Sequence, residues 1–188
     1  MRVVAGIARG RKLLTRDSEE TKPTLDRVKE AMFSMLTPYL NGARVLDLFS
    51  GSGALGIEAL SRGAAHCIFC DKSKECCDII KKNLESTGLG DQATVLQGDY
   101  TGLLKRLKQR EETFDLILLD PPYNKGFEQE TMKLLSWYGL CESGTIALCE
   151  HAFEDKMPEQ NGTFYRIKEK KYGTVGVSLY EKKDEKNE

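Results

Sequence analysis

The stretch R-V-L-D-L-F-S-G-S-G, residues 44–53, decides the fold of this chain. Arg44 to Phe49 is a short apolar run typical of a buried strand, and the glycine-rich S-G-S-G follows it directly. Ala54 to Arg62 then has the pattern of a helix. A strand, a glycine turn and a helix in this order predict the first unit of a doubly wound α/β sheet.

Apolar runs and helical patterns keep alternating after this unit. Phe164 to Lys168 and Thr174 to Tyr180 alternate apolar and polar side chains instead, which predicts an antiparallel hairpin at the end of the sheet. The fold class is therefore α/β, doubly wound and Rossmann-like, and ligands of such sheets bind at the carboxyl ends of the strands. The other predicted strands are Cys67 to Asp71, Ala93 to Gln97, Phe114 to Asp120 and Thr145 to Glu150, and the other predicted helices are Ser73 to Glu85, capped by Ser73, Thr101 to Arg110 and Phe127 to Trp137.

The composition is that of one globular domain. Hydrophobic residues make up 40% and charged residues 30% of the 188 residues, which suffices for one buried core. No apolar run approaches the roughly 20 residues that span a bilayer, and no signal-peptide pattern opens the chain. We therefore expect a cytoplasmic protein with no membrane partner.

Six cysteines include a C-x2-C pair at Cys67 and Cys70. This spacing occurs in zinc sites, but side chains three positions apart on a strand point to opposite faces of the sheet. Because no histidine stands at ligand spacing, we expect no metal site. We interpret the cysteines as small buried side chains in a reducing compartment.

The N-terminal segment is locally basic, although the whole chain has a formal net charge of −1. Its first 16 residues carry Arg2, Arg9, Arg11, Lys12 and Arg16 and no acid. Such an arm can bind phosphates, and charge alone fits a merely solvated terminus equally well.

Three parts of the chain are predicted on this basis. Residues 1–22 form a basic arm, with a small hairpin over Val3 to Leu14 that turns near Arg9 and Gly10. Residues 23–181 form the main domain, which begins with a helix over Pro23 to Leu36 capped by Thr24. Residues 182–188 form a frayed, charged tail.

Gly51, Gly53 and Gly56 complete a G-x-G-x-x-G pattern after the first strand. Glycines there allow a tight turn and a close backbone approach, so the pattern alone fits NAD or FAD as well as other nucleoside cofactors. Asp47, inside the preceding strand, separates these alternatives, because a carboxylate there repels a pyrophosphate and favours a cofactor that carries an ammonium and a sulfonium. The pattern with Asp47 therefore favours S-adenosylmethionine.

Two more acids follow the next two strands. Asp71 is placed to accept hydrogen bonds from both ribose hydroxyls of a nucleoside, and Asp99 to accept one from the adenine amine. Either acid alone is more often a surface or helix-capping residue. Asp47, Asp71 and Asp99, at or near three successive strand ends, point to one crevice.

The motif D-P-P-Y, Asp120 to Tyr123, follows the most continuous apolar run. Its prolines hold the backbone where the strand must stop. The Asp120 carboxylate and the Pro121 carbonyl can accept hydrogen bonds from both N–H groups of a base amine and so direct its lone pair at a methyl donor. Tyr123 offers a flat face on which an unstacked base can lie.

These segments resemble the RsmD family of bacterial 16S ribosomal RNA guanine methyltransferases, which modify the guanine 2-amino group. The resemblance covers nearly the whole chain and is carried by R-V-V-A-G-I-A-R-G-R-K-L (Arg2 to Leu13), K-P-T-L-D-R-V-K-E-A-M-F-S-M-L (Lys22 to Leu36), D-L-F-S-G-S-G, D-P-P-Y and K-Y-G-T-V-G-V-S-L-Y (Lys171 to Tyr180). It implies a seven-stranded sheet with a reversed last strand, S-adenosylmethionine as cofactor, and 16S ribosomal RNA or the assembling small subunit as partner of a monomer.

The predicted site residues form three sets. The catalytic residues are Asp120, Pro121, Pro122 and Tyr123. The cofactor-binding residues are Asp47, Phe49, Gly51, Gly53, Asp71, Lys72, Asp99 and Tyr100. The RNA-binding residues are Arg2, Arg9, Arg11, Lys12 and Arg27.

Several alternatives stay open at this point. D-P-P-Y alone does not identify the ring, so adenine amine methylation of DNA or RNA is the nearest rival. An NAD-dependent oxidoreductase requires a pyrophosphate beside Asp47, and a non-catalytic RNA-binding module leaves the acceptor motif without a role. Methylation of a protein glutamine is less favoured, because such enzymes usually carry Asn in place of Asp120. His151, near the end of the fifth strand, fits a surface position or an RNA contact.

Overall fold

The structure is a computed structural model that describes residues 1–16, 23–123 and 125–184, without the side chains of residues 23–25. The predicted helix cap, Thr24, therefore lies outside the described side chains. The helices are α1 (Pro23–Leu40), α2 (Ala54–Ser61), α3 (Lys74–Thr87), α4 (Tyr100–Gln109) and α5 (Phe127–Trp137), with a short 3-10 turn at Gly90–Gln92. The strands are β1 (Arg44–Asp47), β2 (His66–Asp71), β3 (Ala93–Gln97), β4 (Phe114–Leu119), β5 (Cys141–Ala152), β6 (Gln160–Asn161), β7 (Phe164–Tyr172) and β8 (Val175–Lys182).

All strands belong to one sheet in the order β3-β2-β1-β4-β5-β8-β7-β6. Strands β1 to β5 are parallel to their neighbours, while β8, β7 and β6 pair antiparallel. The predicted fold class and the C-terminal hairpin are confirmed. The sheet has eight strands because the two-residue β6 extends the edge beyond β7. The strand order reverses between β1 and β4, which opens a crevice at their carboxyl ends.

Helices cover both faces of this sheet, so the inner strands are buried on both sides. Helices α1, α2 and α3 pack on one face, and α4 and α5 on the other. On β1, Val45 belongs to the first core and Leu46 to the second. On β2, Cys67 and Cys70 are likewise divided between the two cores, as their strand spacing predicted.

Several elements extend beyond their predicted ends. Helix α1 runs on to Leu40 through Pro38, because Leu40 is itself buried in the core. Strand β5 begins at Cys141 and not at Thr145, since its first exposed residues show no apolar pattern. At the C-terminus, Lys182 still belongs to β8 and the N–H of Lys183 donates to the Thr163 carbonyl, so the predicted tail starts later. Residues 185–188 lie outside the described residues.

The N-terminal arm packs against the domain. Its predicted hairpin is a loop closed by one antiparallel bridge, Arg2 to Lys12. Val3, Ala8 and Leu13 are buried in the same core as α1, α2 and α3. The arm thus contributes to the core of the domain while its basic side chains stay outside.

A buried carboxylate holds the start of this arm. Glu58 of α2 is fully buried, and its two oxygens accept the N–H groups of Val4 and Ala5, each at 2.9 Å. The same carboxylate lies 3.3 Å from the Lys29 ammonium and 2.9 Å from Arg62 Nε. These four contacts offset the desolvation of the buried charge.

Farther along, Asn83 of α3 binds the arm and the glycine loop together. Its side chain accepts the Leu14 N–H at 2.7 Å and donates to the Leu14 carbonyl at 3.0 Å and to the Ser52 carbonyl at 2.9 Å. The arm therefore runs from the end of α2 up to the glycine loop.

No helix in the described ranges is both long and apolar enough to cross a membrane.

Candidate active site

A cleft of about 610 Å³ opens at the carboxyl ends of β1 to β4, where the strand order reverses. We refer to it below as the cleft. All predicted catalytic and cofactor-binding residues line it except Asp47 and Gly53. Its lining comprises Arg16, Leu48, Phe49, Gly51, Asp71, Lys72, Ser73, Cys76, Gly98, Asp99, Tyr100, Asp120, Pro121, Pro122, Tyr123 and Phe127.

The glycine loop between β1 and α2 is held by backbone geometry. Gly51 and Gly53 have φ angles of 54° and 81°, which favour glycine. The N–H of Gly53 donates to the Ser50 carbonyl at 2.7 Å. Gly56 allows α2 to approach β2, because a Cβ there would lie 2.3 Å from the Phe69 ring. Gly53 therefore shapes the loop from its helix side, and Gly51 faces the cleft.

Asp47 lies beneath this loop and does not reach the cleft. It is buried, and its Oδ2 accepts the N–H of Gly56 at 3.0 Å. Burial is the main cause that raises the pKa of this carboxyl to about 7. The structure thus gives Asp47 a role in holding the start of α2, and its direct contact with a cofactor stays a prediction.

Asp71 joins the end of β2 to the two neighbouring turns. Its Oδ2 accepts the N–H of Gly51 at 2.9 Å, and its Oδ1 accepts the N–H of Ser73 at 2.8 Å. Ser73 caps α3 as predicted, accepting from the N–H of Cys76. Each carboxylate oxygen of Asp71 keeps further acceptor capacity toward the cleft, which suits hydroxyl donors.

Asp99 caps helix α4. Its Oδ1 accepts the N–H of Thr101 at 2.9 Å and also the Thr101 hydroxyl. These hydrogen bonds lower the pKa of the Asp99 carboxyl, with the Thr101 hydroxyl as the largest cause. The carboxyl is therefore ionised and remains an acceptor at the wall of the cleft.

Three aromatic rings form the apolar wall beside Asp99. The Phe49 ring centroid lies 5.4 Å from that of Tyr100 and 5.9 Å from that of Phe127, with the last pair stacked at 18°. The Tyr100 hydroxyl donates to Glu130 at 2.7 Å, which fixes the ring. Such a wall suits a flat heteroaromatic ring. Phe127 was not among the predicted site residues. Its position at the start of α5, four residues after Tyr123, could have indicated that it lines the cleft.

The D-P-P-Y motif forms the opposite end of the cleft. Pro121 is buried, whereas Asp120 and Tyr123 are exposed to the cleft. The Tyr123 hydroxyl donates to Glu150 Oε1 at 2.7 Å. Burial, followed by the Glu150 charge, raises the pKa of Tyr123, so its hydroxyl stays protonated as a donor. Glu150 was not among the predicted site residues.

The predicted RNA-binding residues lie on the surface outside the cleft. Arg2, Arg9, Arg11, Lys12 and Arg27 are all exposed. Arg2 pairs with Asp26 at 3.1 Å. Arg16, at the end of the described arm, does line the cleft and lies 3.2 Å from Glu75. The basic arm therefore leads from the back of α2 to the rim of the cleft.

His151 is neither a surface residue nor placed for an RNA contact, the two alternatives that the sequence left open. It is buried, and its ring nitrogens contact the Ala152 carbonyl and the Ser178 hydroxyl, each at 2.9 Å. Gly176 makes room for the ring, since a Cβ there would lie 2.4 Å from it. His151 therefore packs β5 against β8. Across the described part of the chain, no group of His, Cys, Asp and Glu side chains is placed to hold a metal ion.

Comparison with known proteins identifies the family of this chain. A family model described as Conserved hypothetical protein 95 matches residues 1–181. The chain belongs to this family. A Bacillus subtilis member, YlbH, is 40% identical over 183 residues, which cover 97% of this chain and 100% of that protein. The Haemophilus influenzae protein named ribosomal RNA small subunit methyltransferase D is 37% identical over 188 residues, covering 96% of this chain and 93% of that protein.

Solved structures agree with this assignment. An Escherichia coli protein superposes with a TM-score of 0.85 at 31% identity, covering 98% of this chain and 99% of its own. The resemblance to the RsmD family is thereby confirmed. The family model begins at residue 1, so its match includes the N-terminal segment as well as the rest of the chain up to residue 181.

Proposed function

We propose that this protein transfers a methyl group from S-adenosylmethionine to the exocyclic 2-amino group of a guanine in 16S ribosomal RNA. The observation that carries the proposal is the placement of D-P-P-Y and the acids Asp71 and Asp99 on the walls of one cleft. The names of relatives as methyltransferases of small-subunit ribosomal RNA support the reaction and the partner. We place the enzyme in the cytoplasm, where that subunit assembles.

The cleft fits the cofactor by the chemistry of its walls. Asp71 and Asp99 add negative charge on the cofactor side and Asp120 on the other, which favours a sulfonium and disfavours a pyrophosphate. Asp71 is placed to bind ribose hydroxyls, and the rings of Phe49, Tyr100 and Phe127 to hold adenine. When bound, S-adenosylmethionine supplies an electrophilic methyl group.

The target amine is bound by the D-P-P-Y motif. The amine lone pair is delocalised into the base ring, which makes the nitrogen a weak nucleophile. The Asp120 carboxylate and the Pro121 carbonyl each accept a hydrogen bond from one amine N–H, which orients the lone pair toward the methyl group. Asp120 then accepts the proton that the methylated nitrogen releases. The Tyr123 ring provides the stacking surface for the base.

The direct experiment is methyl transfer to small-subunit particles and to naked ribosomal RNA that lack the modification. Nucleoside mass analysis of the product is expected to show 2-methylguanine. Methylated adenine would instead support the rival adenine activity, and stabilisation of the protein by NAD but not by S-adenosylhomocysteine would refute the cofactor assignment.

A further inference from the structure

Glu150 stands beside Asp120 at the end of the sheet. Strands β4 and β5 are parallel and in register at Leu119 and Cys149, and each of these residues is followed directly by one of the two acids. Neighbouring strands lie about 4.8 Å apart, so the two acids occupy adjacent strand ends. Glu150 does not itself line the cleft, but it contacts Tyr123, which does, and it occupies the strand end next to the proposed amine acceptor.

Glu150 is partly buried and interacts electrostatically with the neighbouring His151. The Glu150 side chain accepts the Tyr123 hydroxyl at Oε1, and burial raises the pKa of its carboxyl. In the described ranges no lysine or arginine forms a salt bridge with it. The second oxygen, Oε2, has no hydrogen-bonding partner among these residues either. Burial disfavours a charged carboxylate there unless a further polar group binds it.

The two purines differ at N1, which adjoins the amine in both. In guanine the carbon that carries the 2-amino group lies between N1–H, a hydrogen-bond donor, and N3, an acceptor. In adenine the 6-amino group adjoins N1, which carries a lone pair and accepts. A carboxylate that faces N1 can therefore bind guanine and repels adenine. Selection of this kind is effective, because the wrong base leaves a buried polar group unpaired.

We propose that Glu150 selects guanine by accepting the N1–H of the target base at Oε2 while Asp120 and Pro121 bind the 2-amino group. Tyr123 holds the carboxylate through Oε1 and so aligns Oε2 with the base edge. This inference rests on the proposed function and adds to it the residue that determines which base is methylated. Asp120 thus recognises the amine, and Glu150 recognises the N1–H beside it.

The test compares guanine with 2-aminopurine at the methylated position of the small-subunit RNA. 2-Aminopurine keeps the 2-amino group but has a bare N1. Wild-type enzyme is expected to methylate the 2-aminopurine substrate with a kcat/KM lower by about 10- to 100-fold. Glu150→Gln is expected to lose a similar factor on guanine and to discriminate little between the two bases, because an amide can also donate to N1.

Two variants separate base recognition from packing. Tyr123→Phe removes the hydrogen bond to Glu150 but keeps the carboxylate, so the preference for guanine is expected to survive even where the rate falls. Glu142→Gln changes a glutamate at the opposite, exposed end of β5 and is expected to behave as wild type. Melting with S-adenosylhomocysteine checks that Glu150→Gln is folded.

The outcomes are distinct. If Glu150→Gln keeps the wild-type preference for guanine, or if it matches Tyr123→Phe in both rate and preference, Glu150 only positions Tyr123 and the inference is wrong. If Glu150→Gln does not fold, the test is the ratio of the wild-type kcat/KM on guanine to that on 2-aminopurine. A ratio near one overturns the inference. If wild-type enzyme makes no 2-methylguanine, the proposed function itself fails.

Discussion

Asp120 is the residue that contacts the reacting amine in the proposed mechanism. It follows the last residue of β4 and faces the cleft, away from both hydrophobic cores. We expect Asp120→Ala to lower methyl transfer to small-subunit particles by about 100-fold or more, since one preorganised acceptor is lost. Binding of S-adenosylhomocysteine and the melting temperature are expected to stay near wild type.

The control for this variant is Asp91→Ala on the exposed 3-10 turn after α3. It removes a carboxylate of the same type and should leave turnover unchanged. Wild-type turnover in Asp120→Ala would refute the assigned role.

We expect the stability of the domain to depend on pH through Asp47. Its folded-state pKa is about 7, above the ordinary 3.8, because burial disfavours the charged form. The stabilisation from the protonated group is complete below the unfolded-state pKa and is lost as the pH rises through the folded-state pKa. From about pH 5 to 7, this group therefore lowers the free energy of unfolding by about 1.4 kcal/mol per pH unit.

Asp47→Asn keeps an oxygen that can accept the Gly56 N–H but cannot ionise. Urea unfolding at pH 5, 6, 7 and 8 should show the variant gaining stability relative to wild type up to pH 7 and then levelling off. The exposed Asp91→Asn should follow the wild-type curve. Parallel curves for Asp47→Asn and wild type would mean that Asp47 is already ionised in the folded protein.

At the scale of elements, the arm is held by close backbone contact with α2. Gly6 has a φ of 84°, and a Cβ there would lie 1.8 Å from the Ser61 carbonyl oxygen. Gly10 has nearly the same φ, 83°, but a Cβ there would meet nothing within 4 Å. The two glycines therefore form a matched pair that separates backbone strain from steric exclusion.

We expect Gly10→Ala to lower the free energy of unfolding by about 1 kcal/mol through strain alone. Gly6→Ala is expected to cost more, because the arm must leave α2 and expose the buried Glu58. Urea unfolding and the rate of tryptic cleavage after Arg9 and Arg11 report both effects. Equal losses in the free energy of unfolding of the two variants would show that the Ser61 contact does not hold the arm.

The elements themselves were predictable, and their contacts were less so. Apolar runs marked β1, β2, β4 and β5 because these strands are buried on both faces, and a run also marked the partly buried edge strand β3. The strand ends located the cleft. In the sequence Glu58 looks like any glutamate of a helix. Its role could not be predicted because its partners, the N–H groups of Val4 and Ala5, are more than fifty residues away in sequence. The sequence likewise placed Asp47 near the glycine loop but not under it, because the Gly56 N–H that binds its carboxylate belongs to the next element.

Glu150 was missed for a related reason. It is the last residue of the predicted fifth strand, and the pattern there describes burial and not function. Its relation to Asp120 depends on the register between β4 and β5, which non-local pairing decides.

At the scale of the whole molecule, the arm places several basic side chains together on a nearly neutral protein. Charge reversal at Arg9, Arg11 and Lys12 is expected to weaken RNA binding and to reduce the slope of log K against log salt by about 2 to 3, as for the loss of three phosphate contacts. Reversal at Lys105, Lys108 and Arg110 of α4 or its C-cap changes charge on the opposite face of the sheet and serves as the control. An unaltered slope in the arm variant would show that the arm does not bind phosphates.

Strands β1, β2, β4, β5 and β8 contribute side chains to both hydrophobic cores. Neither layer of helices can therefore separate without disturbing strands on which the other layer packs, and the chain should unfold as one cooperative unit. Three of these shared strands, β1, β2 and β4, end at the cleft. A ligand bound there stabilises the entire domain by mass action, about 2.7 kcal/mol at a hundred times its Kd, so cofactor supply also sets how long the enzyme resists degradation.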